Sequence, residues 1–173
     1  MKKHLKRPPL KYKDMKIIAP SMNMKSAIRY WVLTGDWDIS ATLTYSELVR
    51  ERDAYSRLKK FWNRVDRRLY GNEMKKRNRR VERLNIMEGD GVAQNHHFHC
   101  VVKMPIDRFQ NPFEFSKFLA RLWREENGKM GHKTDIGPII DELGWAIYIT
   151  KKITRLSSDM LDATSSHVVV ATC

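Results

Sequence analysis

Residues 97–102, which read His-Phe-His-Cys-Val-Val, decide the fold of this chain. Successive side chains of a strand point to opposite faces, so His97 and His99 share one face while Phe98 and Cys100 share the other. The pattern predicts a strand with Cys100 in the core and two imidazoles side by side. Such a pair can clamp a metal ion, or it can be two half-exposed histidines on an ordinary strand.

The residues before this strand predict a hairpin and a helix. Residues 39–45 alternate and are rich in β-formers, which predicts the first strand. We expect a helix to begin at Ser46 and to end at Tyr70-Gly71-Asn72, because its apolar residues follow helical spacing. Residues 81–88 read as a second strand, which forms an antiparallel hairpin with residues 97–103.

The residues after this strand add two helices and a strand. Asn-Pro-Phe-Glu at 111–114 is a typical helix start, and Asn127-Gly128 ends that helix. A fourth strand is expected within residues 133–140. A last helix is expected to begin at Asp141 or Glu142 and to run through Tyr148 towards Leu156. This order predicts an α+β fold, with helices packed on a central antiparallel sheet of the ferredoxin-like or RRM-like kind that carries the His-X-His strand.

Charge and cysteine content limit the partners of the protein. The 173 residues carry a net charge of +13, which favours an anionic polymer, and less so an anionic membrane surface, as partner. No apolar run is long enough for a transmembrane helix, and the basic N-terminus lacks the apolar core of a signal peptide. Two cysteines, Cys100 and Cys173, exclude a disulfide framework. These features predict an intracellular protein.

One folded domain is expected between two tails. Residues 1–25 read as a basic N-terminal arm, residues 26–156 as the domain, and residues 157–173 as a C-terminal tail. Residues 75–80, which read Lys-Lys-Arg-Asn-Arg-Arg, are the densest run of charge. They form either a solvated connection or a loop that contacts phosphates.

Three motifs in order resemble the HUH endonuclease superfamily, and within it the rolling-circle replication initiators, or Rep proteins. They are Thr-Leu-Thr-Tyr at 42–45, the His-X-His strand, and Tyr-Ile-Thr-Lys at 148–151. Together they span residues 39–156. The first motif departs from the family pattern, since Ser46 stands where a Pro often follows.

The resemblance implies a divalent cation, Mg²⁺ or Mn²⁺, at His97 and His99. Two neutral imidazoles bind a hard cation poorly, so an oxygen ligand is expected as well. Glu88 lies on the preceding strand, can face the same site, and matches an acidic ligand of Rep relatives. Asp90 is the alternative, although it reads better as a turn residue.

The resemblance also implies that Tyr148 is the nucleophile. A phenol is protonated at neutral pH and needs a nearby cation, which Lys151 or Lys152 can supply from the same helical face. The family pattern selects Lys151. Attack would leave a 5′-phosphate on Tyr148 and free a 3′-hydroxyl, in a cycle with one tyrosine. Judged alone, Tyr148 reads as a core aromatic.

The implied substrate is single-stranded DNA at a replication origin, as a hairpin or a melted duplex. No phosphate-binding loop occurs, so a host or partner helicase would act in trans, in the cytoplasm or in the nucleus of a eukaryotic host. We expect phosphate contacts from basic side chains and base stacking from an aromatic ring. The predicted DNA-binding residues are Lys75, Lys76, Arg77, Arg79, Arg80, Lys152 and Tyr45.

Other functions fit the same sequence. A transposase or a plasmid relaxase would share the chemistry of a Rep protein. A noncatalytic nucleic-acid-binding module would bind without cleaving. A structural zinc protein could use four histidines, and it would unfold when a chelator removes the metal. Those histidines are His96, His97, His99 and His132.

Overall fold

Four strands of the described chain pair into one sheet. They are β1 (Ile39–Leu43), β2 (Arg83–Glu88), β3 (His97–Val102) and β4 (Asp135–Pro138). The helices of that same part are α1 (Met24–Thr34), α2 (Glu51–Tyr70), α3 (Asn72–Arg77), α4 (Pro112–Asn127) and α5 (Glu142–Ile149). The computed structural model describes residues 23–89, 96–129, 131, 133–153, 160–162 and 164–168.

The strand order is β2-β3-β1-β4, and each neighbouring pair is antiparallel. Helix α2, followed by the short helix α3, connects β1 to β2, and α4 connects β3 to β4. This is the βαββαβ arrangement of a ferredoxin-like split βαβ fold. The predicted α+β class and the predicted β2–β3 hairpin are therefore confirmed.

Helices cover both faces of the sheet, so β3 is buried on both sides. One face packs on α2 and α4, and its buried side chains include Leu58, Phe61, Trp62, Phe98, Cys100, Phe115, Leu119 and Trp123. The opposite face packs on α1 and α5, and its buried side chains include Ile28, Val32, Ile86, Val101, Ala146 and Ile149. Cys100 lies in the core, as the alternation along β3 predicts.

The predicted helix start at residue 111 and two predicted helix ends are confirmed. The Asn111 side chain accepts a hydrogen bond from the backbone N–H of Glu114 at 3.0 Å. Helices α2 and α4 end before Gly71 and Gly128, whose φ angles of 50° and 72° favour glycine.

The start predicted for α2 at Ser46 is wrong. The helix begins at Glu51, where the Arg50 carbonyl accepts the first helical hydrogen bonds. The chain bends at residues 46 and 47, and Val49 is buried in the core before the helix begins. Glu51 and Asp53 lie in the first turn, where negative charge favours a helix N-terminus.

Helix α1 is an element that the sequence prediction missed. Asn23 accepts a hydrogen bond from the backbone N–H of Ser26 at 2.9 Å and caps this helix. Ile28, Trp31 and Val32 face the sheet, and their spacing of three and four residues is the signal that could have revealed the helix.

The described ends of the chain pack against the domain. Lys25, at the end of the predicted N-terminal arm, belongs to α1, whereas residues 1–22 lie outside the described residues. In the tail, Leu161 and His167 form isolated bridges with Ile86 and Arg83, and so cover the outer edge of β2. No helix in the described ranges combines the length and the apolar character that a membrane span requires.

Candidate functional site

The β2–β3 hairpin brings the three predicted metal ligands together. Its register pairs Glu88 with His97 and Ile86 with His99. Directly paired residues share a face of the sheet, so Glu88, His97 and His99 all point to the α1/α5 side. The predicted ligand set therefore lies on one face, at the end of the hairpin where residues 89–96 connect its two strands.

The three side chains form a compact group of metal-ligand atoms. The Oε2 atom of Glu88 lies 3.1 Å from Nε2 of His99 and 3.9 Å from Nε2 of His97. One ligand atom from each residue lies within 4.8 Å of the other two. One carboxylate oxygen and two imidazole nitrogens fit a divalent cation, so this buried group could bind a metal ion.

The surroundings of His99 keep its imidazole neutral. Its side chain is fully buried, and its Nδ1 lies 3.2 Å from the hydroxyl of Thr42 on β1. That contact leaves Nε2 facing Glu88. Burial, reinforced by the neighbouring His97 ring, lowers the pKa of His99 to about 4. A neutral imidazole is the form that binds metal ions.

Glu88 is held as a carboxylate by two lysines. Lys151 Nζ lies 3.3 Å from Oε2 of Glu88, and Lys152 Nζ lies 3.3 Å from Oε1. Burial alone would raise the pKa of Glu88, but hydrogen bonds from both ammonium groups hold it below its usual range. The carboxylate is therefore charged at neutral pH and able to act as a ligand.

Tyr148 reaches this group from α5. Asp141 caps the helix by accepting a hydrogen bond from the backbone N–H of Gly144 at 2.8 Å. The Tyr148 ring lies edge-on to His99, with 4.9 Å between ring centroids, and Lys151 Nζ lies 3.9 Å from the centroid of the Tyr148 ring. Tyr148 remains 42% exposed, so it is not a core aromatic. A phenol, a cation and a metal-ligand group thus meet at one accessible place.

The predicted extension of the last helix beyond Tyr148 is wrong. Helix α5 ends at Ile149, and Lys151 and Lys152 lie in the turn that follows. The Thr150 hydroxyl donates back to the Ala146 carbonyl at 2.7 Å, which satisfies an acceptor at the helix end. The lysines therefore come near Glu88 through the turn, and not through one helical face.

Two residues of α1 hold this turn, and neither was predicted from the sequence. Arg29 Nε donates to the Thr150 hydroxyl at 2.8 Å, and Lys25 Nζ donates to the Lys151 carbonyl at 3.4 Å. More than 120 residues separate each pair, so no local pattern could have revealed these contacts.

The predicted DNA-binding run does not join this group. Lys75, Lys76 and Arg77 are exposed on α3, whose Met74 packs on the α2/α4 layer, opposite the Glu88 side of the sheet. Two further basic residues of the run have acidic partners. Arg79 contacts Glu73 and Asp107, and Arg80 contacts Asp66.

The stacking role predicted for Tyr45 is wrong. Its side chain is only 4% exposed, and its hydroxyl donates to the Ala54 carbonyl at 2.9 Å. The ring packs against Trp123 with 5.3 Å between centroids. Tyr45 therefore has no free face for a base. Its role is to join β1 to α2 and α4.

The alternative ligands are only partly described. Asp90 and His132 lie outside the described residues. His96 Nδ1 is buried and has no hydrogen-bond partner among the residues that the structure describes. Within the same ranges, Glu88, His97 and His99 are the single group of metal-ligating side chains that converges.

Comparisons with known proteins identify no relative of this chain. No protein-family model, no curated protein and no solved structure matches this chain. The geometry of the site and the motifs of the sequence are therefore what indicate a function.

Proposed function

We propose that the protein is a divalent-metal-dependent endonuclease that nicks and rejoins single-stranded DNA through Tyr148, as HUH proteins of the Rep type do. One observation carries this proposal. The exposed Tyr148 ring lies 4.9 Å from the ring of His99, which belongs to the convergent Glu88–His97–His99 group. A structural metal site has no need of an exposed phenol beside it.

Glu88, His97 and His99 would hold Mg²⁺ or Mn²⁺. When bound, such an ion supplies positive charge that offsets the charge on a nonbridging phosphate oxygen. The mixed set of one oxygen and two nitrogen donors supports Mn²⁺ at least as well as Mg²⁺, because imidazole suits softer ions than Mg²⁺.

Tyr148 would make the new bond to phosphorus. Its hydroxyl oxygen attacks the phosphate, the bond from phosphorus to the 3′-oxygen breaks, and that oxygen takes up a proton as the phenol loses one. The products are a 5′-phosphate on Tyr148 and a free 3′-hydroxyl. One phosphodiester replaces another, so a later 3′-hydroxyl can rejoin the strand without ATP.

Lys151 would stabilise the charge that develops on Tyr148. Its ammonium lies over the ring, 3.9 Å from the centroid, where positive charge offsets the negative charge that builds on the attacking oxygen. Lys152 makes no such contact with any ring among the described residues, and it lies on the other oxygen of Glu88. Lys151 is therefore the better candidate for the assisting lysine.

The net charge of +13 supports a nucleic acid as substrate. A single strand is proposed because a phosphate in a flexible strand can reach Tyr148, and a hairpin or a melted origin supplies one. The role proposed is the start of rolling-circle replication, in the cytoplasm or in a host nucleus, with a helicase acting in trans. A transposase or a relaxase would use the same chemistry.

The test is covalent capture of DNA. The purified chain is incubated with a labelled pool of random single-stranded oligonucleotides, with Mn²⁺ or with EDTA, and run on a denaturing gel. We expect an adduct that resists denaturant, requires Mn²⁺ and disappears in Tyr148→Phe. Tyr30→Phe is the matched control, because Tyr30 is an exposed tyrosine of α1 that is remote in sequence from the motif.

Two outcomes would contradict the proposal. Cleavage without an adduct would make water the nucleophile. Binding with neither cleavage nor adduct across the whole pool would favour a noncatalytic nucleic-acid-binding protein.

A further inference from the structure

The Glu88 carboxylate has two competing sets of partners. Lys151 lies 3.3 Å from Oε2, and this is the same oxygen that faces Nε2 of His99 at 3.1 Å. Lys152 lies 3.3 Å from the other oxygen. Both carboxylate oxygens are therefore already contacted by ammonium groups at the place where a metal ion would bind.

Charge makes these two arrangements compete. A divalent cation bound through Glu88 Oε2 would lie close to two positive ammonium groups, with one carboxylate to offset all of them. Glu88 is largely buried, so water screens this repulsion poorly. The lysines and a metal ion therefore weaken each other's contact with Glu88.

The side chains of Lys151 and Lys152 can move away from Glu88. Both are partly exposed, at 38% and 42%, and each has a flexible four-carbon stem. The backbone of their turn stays in place, because Arg29 and Lys25 of α1 hold Thr150 and the Lys151 carbonyl. A phosphate beside Tyr148 can thus draw the ammonium groups off Glu88 without moving the turn and without taking Lys151 from the Tyr148 ring.

We propose that Lys151 and Lys152 exchange partners, from Glu88 in the free protein to backbone phosphates of a bound DNA strand, so that strand binding and metal binding strengthen each other. This inference rests on the proposed function, because it takes DNA as the anion. The coupling is reciprocal: a strand that raises the metal affinity is itself bound more tightly when the metal is present.

The test measures metal binding and not cleavage. Tyr148→Phe protein, which cannot form the adduct, is titrated with Mn²⁺ while the electron paramagnetic resonance signal of free Mn²⁺ is followed. The titration is run at constant ionic strength, with and without an oligothymidylate of about 15 nucleotides. We expect the oligonucleotide to raise the Mn²⁺ affinity on the order of tenfold.

Variants separate these two lysines from general charge. In the same background, Lys151→Gln with Lys152→Gln should raise the Mn²⁺ affinity on the order of tenfold without DNA, and should remove most of the effect of the oligonucleotide. Lys59→Gln with Lys60→Gln removes the same charge from an exposed lysine pair of α2, across the sheet. That control should leave both affinities close to those of the parent.

Two results would overturn the exchange. One is an Mn²⁺ affinity that does not change when the oligonucleotide is added. The other is an Mn²⁺ affinity that changes equally in both double-lysine variants. Mn²⁺ binding that is absent, or that survives Glu88→Gln, would remove the metal site as well. The adduct test is independent of this titration. An adduct without coupling between DNA and Mn²⁺ binding would support the proposed function and reject the exchange. Coupling without an adduct would support the exchange and reject the nicking activity.

Discussion

Glu88 is the residue on which the candidate site depends. Its Oε2 atom faces both histidines, and its two oxygens contact Lys151 and Lys152. Removing its charge would leave both ammonium groups without their carboxylate and would take the oxygen donor from the ligand set. No other carboxylate among the described residues lies in this group.

The two lysines should differ in their effect on catalysis. At saturating Mn²⁺, Lys151→Gln should slow adduct formation by about 100-fold, because it removes the cation over the Tyr148 ring. Lys152→Gln should slow it by less than about tenfold, because Glu88 is the single charged partner of Lys152 within the described residues. Single-turnover rates with a cleaved oligonucleotide measure both effects. A larger loss in Lys152→Gln would reverse the assignment.

At the level of helices and strands, short-range sequence patterns predicted the features that depend on neighbouring residues. The alternation along β3 and its pairing with β2 fixed which side chains share a face, so the grouping of Glu88 with His97 and His99 followed from the sequence. The helix cap at Asn111 is equally local. The contacts of Arg29 and Lys25 with the turn after α5 are long-range, so no local pattern contains them.

The junction of α2 with β2 contains a buried ion pair. Asp66 is fully buried, and its Oδ1 accepts hydrogen bonds from the backbone N–H of Val81 at 2.9 Å and from the Arg83 guanidinium at 3.1 Å. Arg83 is itself 3% exposed and also donates to the Ser165 carbonyl at 2.7 Å. This pair connects α2, β2 and the C-terminal segment.

Loss of one partner of this pair should be costly. Asp66→Ala should lower the free energy of unfolding by about 3–5 kcal/mol, because Arg83 would remain buried without its counter-ion. Asp107→Ala is the control, since it removes an exposed partner of Arg79 and should cost at most about 1 kcal/mol. Urea unfolding measures both. Equal losses would show that the Asp66 pair adds nothing beyond a surface contact.

At the scale of the whole molecule, the fold class was predictable and the position of the chain ends was not. Strand and helix order alone indicates the α+β sheet. Helix α1 packs on one face of that sheet, and Leu161 and His167 form backbone bridges with its edge strand β2. The position of α1 depends on tertiary packing. The position of the C-terminal segment depends on two isolated backbone bridges, and residues 157–173 carry no clear periodic pattern that would predict them.

The pH dependence of stability should reflect the buried histidines. Burial, reinforced by the Arg83 charge, lowers the pKa of His167 to about 4. Between about pH 6.5 and pH 4 the unfolded chain binds a proton that the folded protein does not, so stability falls as the pH falls. One such group contributes up to about 1.4 kcal/mol per pH unit. Above about pH 6.5 this loss is absent.

Substitution isolates the contribution of His167. The His167→Gln variant, unfolded by urea in EDTA at several pH values, should lose less stability per pH unit than the parent. The slope should not vanish, because His99 has a pKa lowered in the same direction. An unchanged slope in the variant would show that His167 titrates alike in the folded and unfolded chains.

The most direct test of the central claim is to find where DNA becomes attached. Trypsin cuts after Lys133 and Lys151, and the peptide between these cuts contains Tyr148 as its single tyrosine. After reaction with Mn²⁺ and digestion with nuclease and trypsin, mass spectrometry should find this peptide carrying a 5′-linked nucleotide on Tyr148. A nucleotide on any other residue, or cleaved DNA with no modified peptide, would contradict the assignment of Tyr148 as the nucleophile.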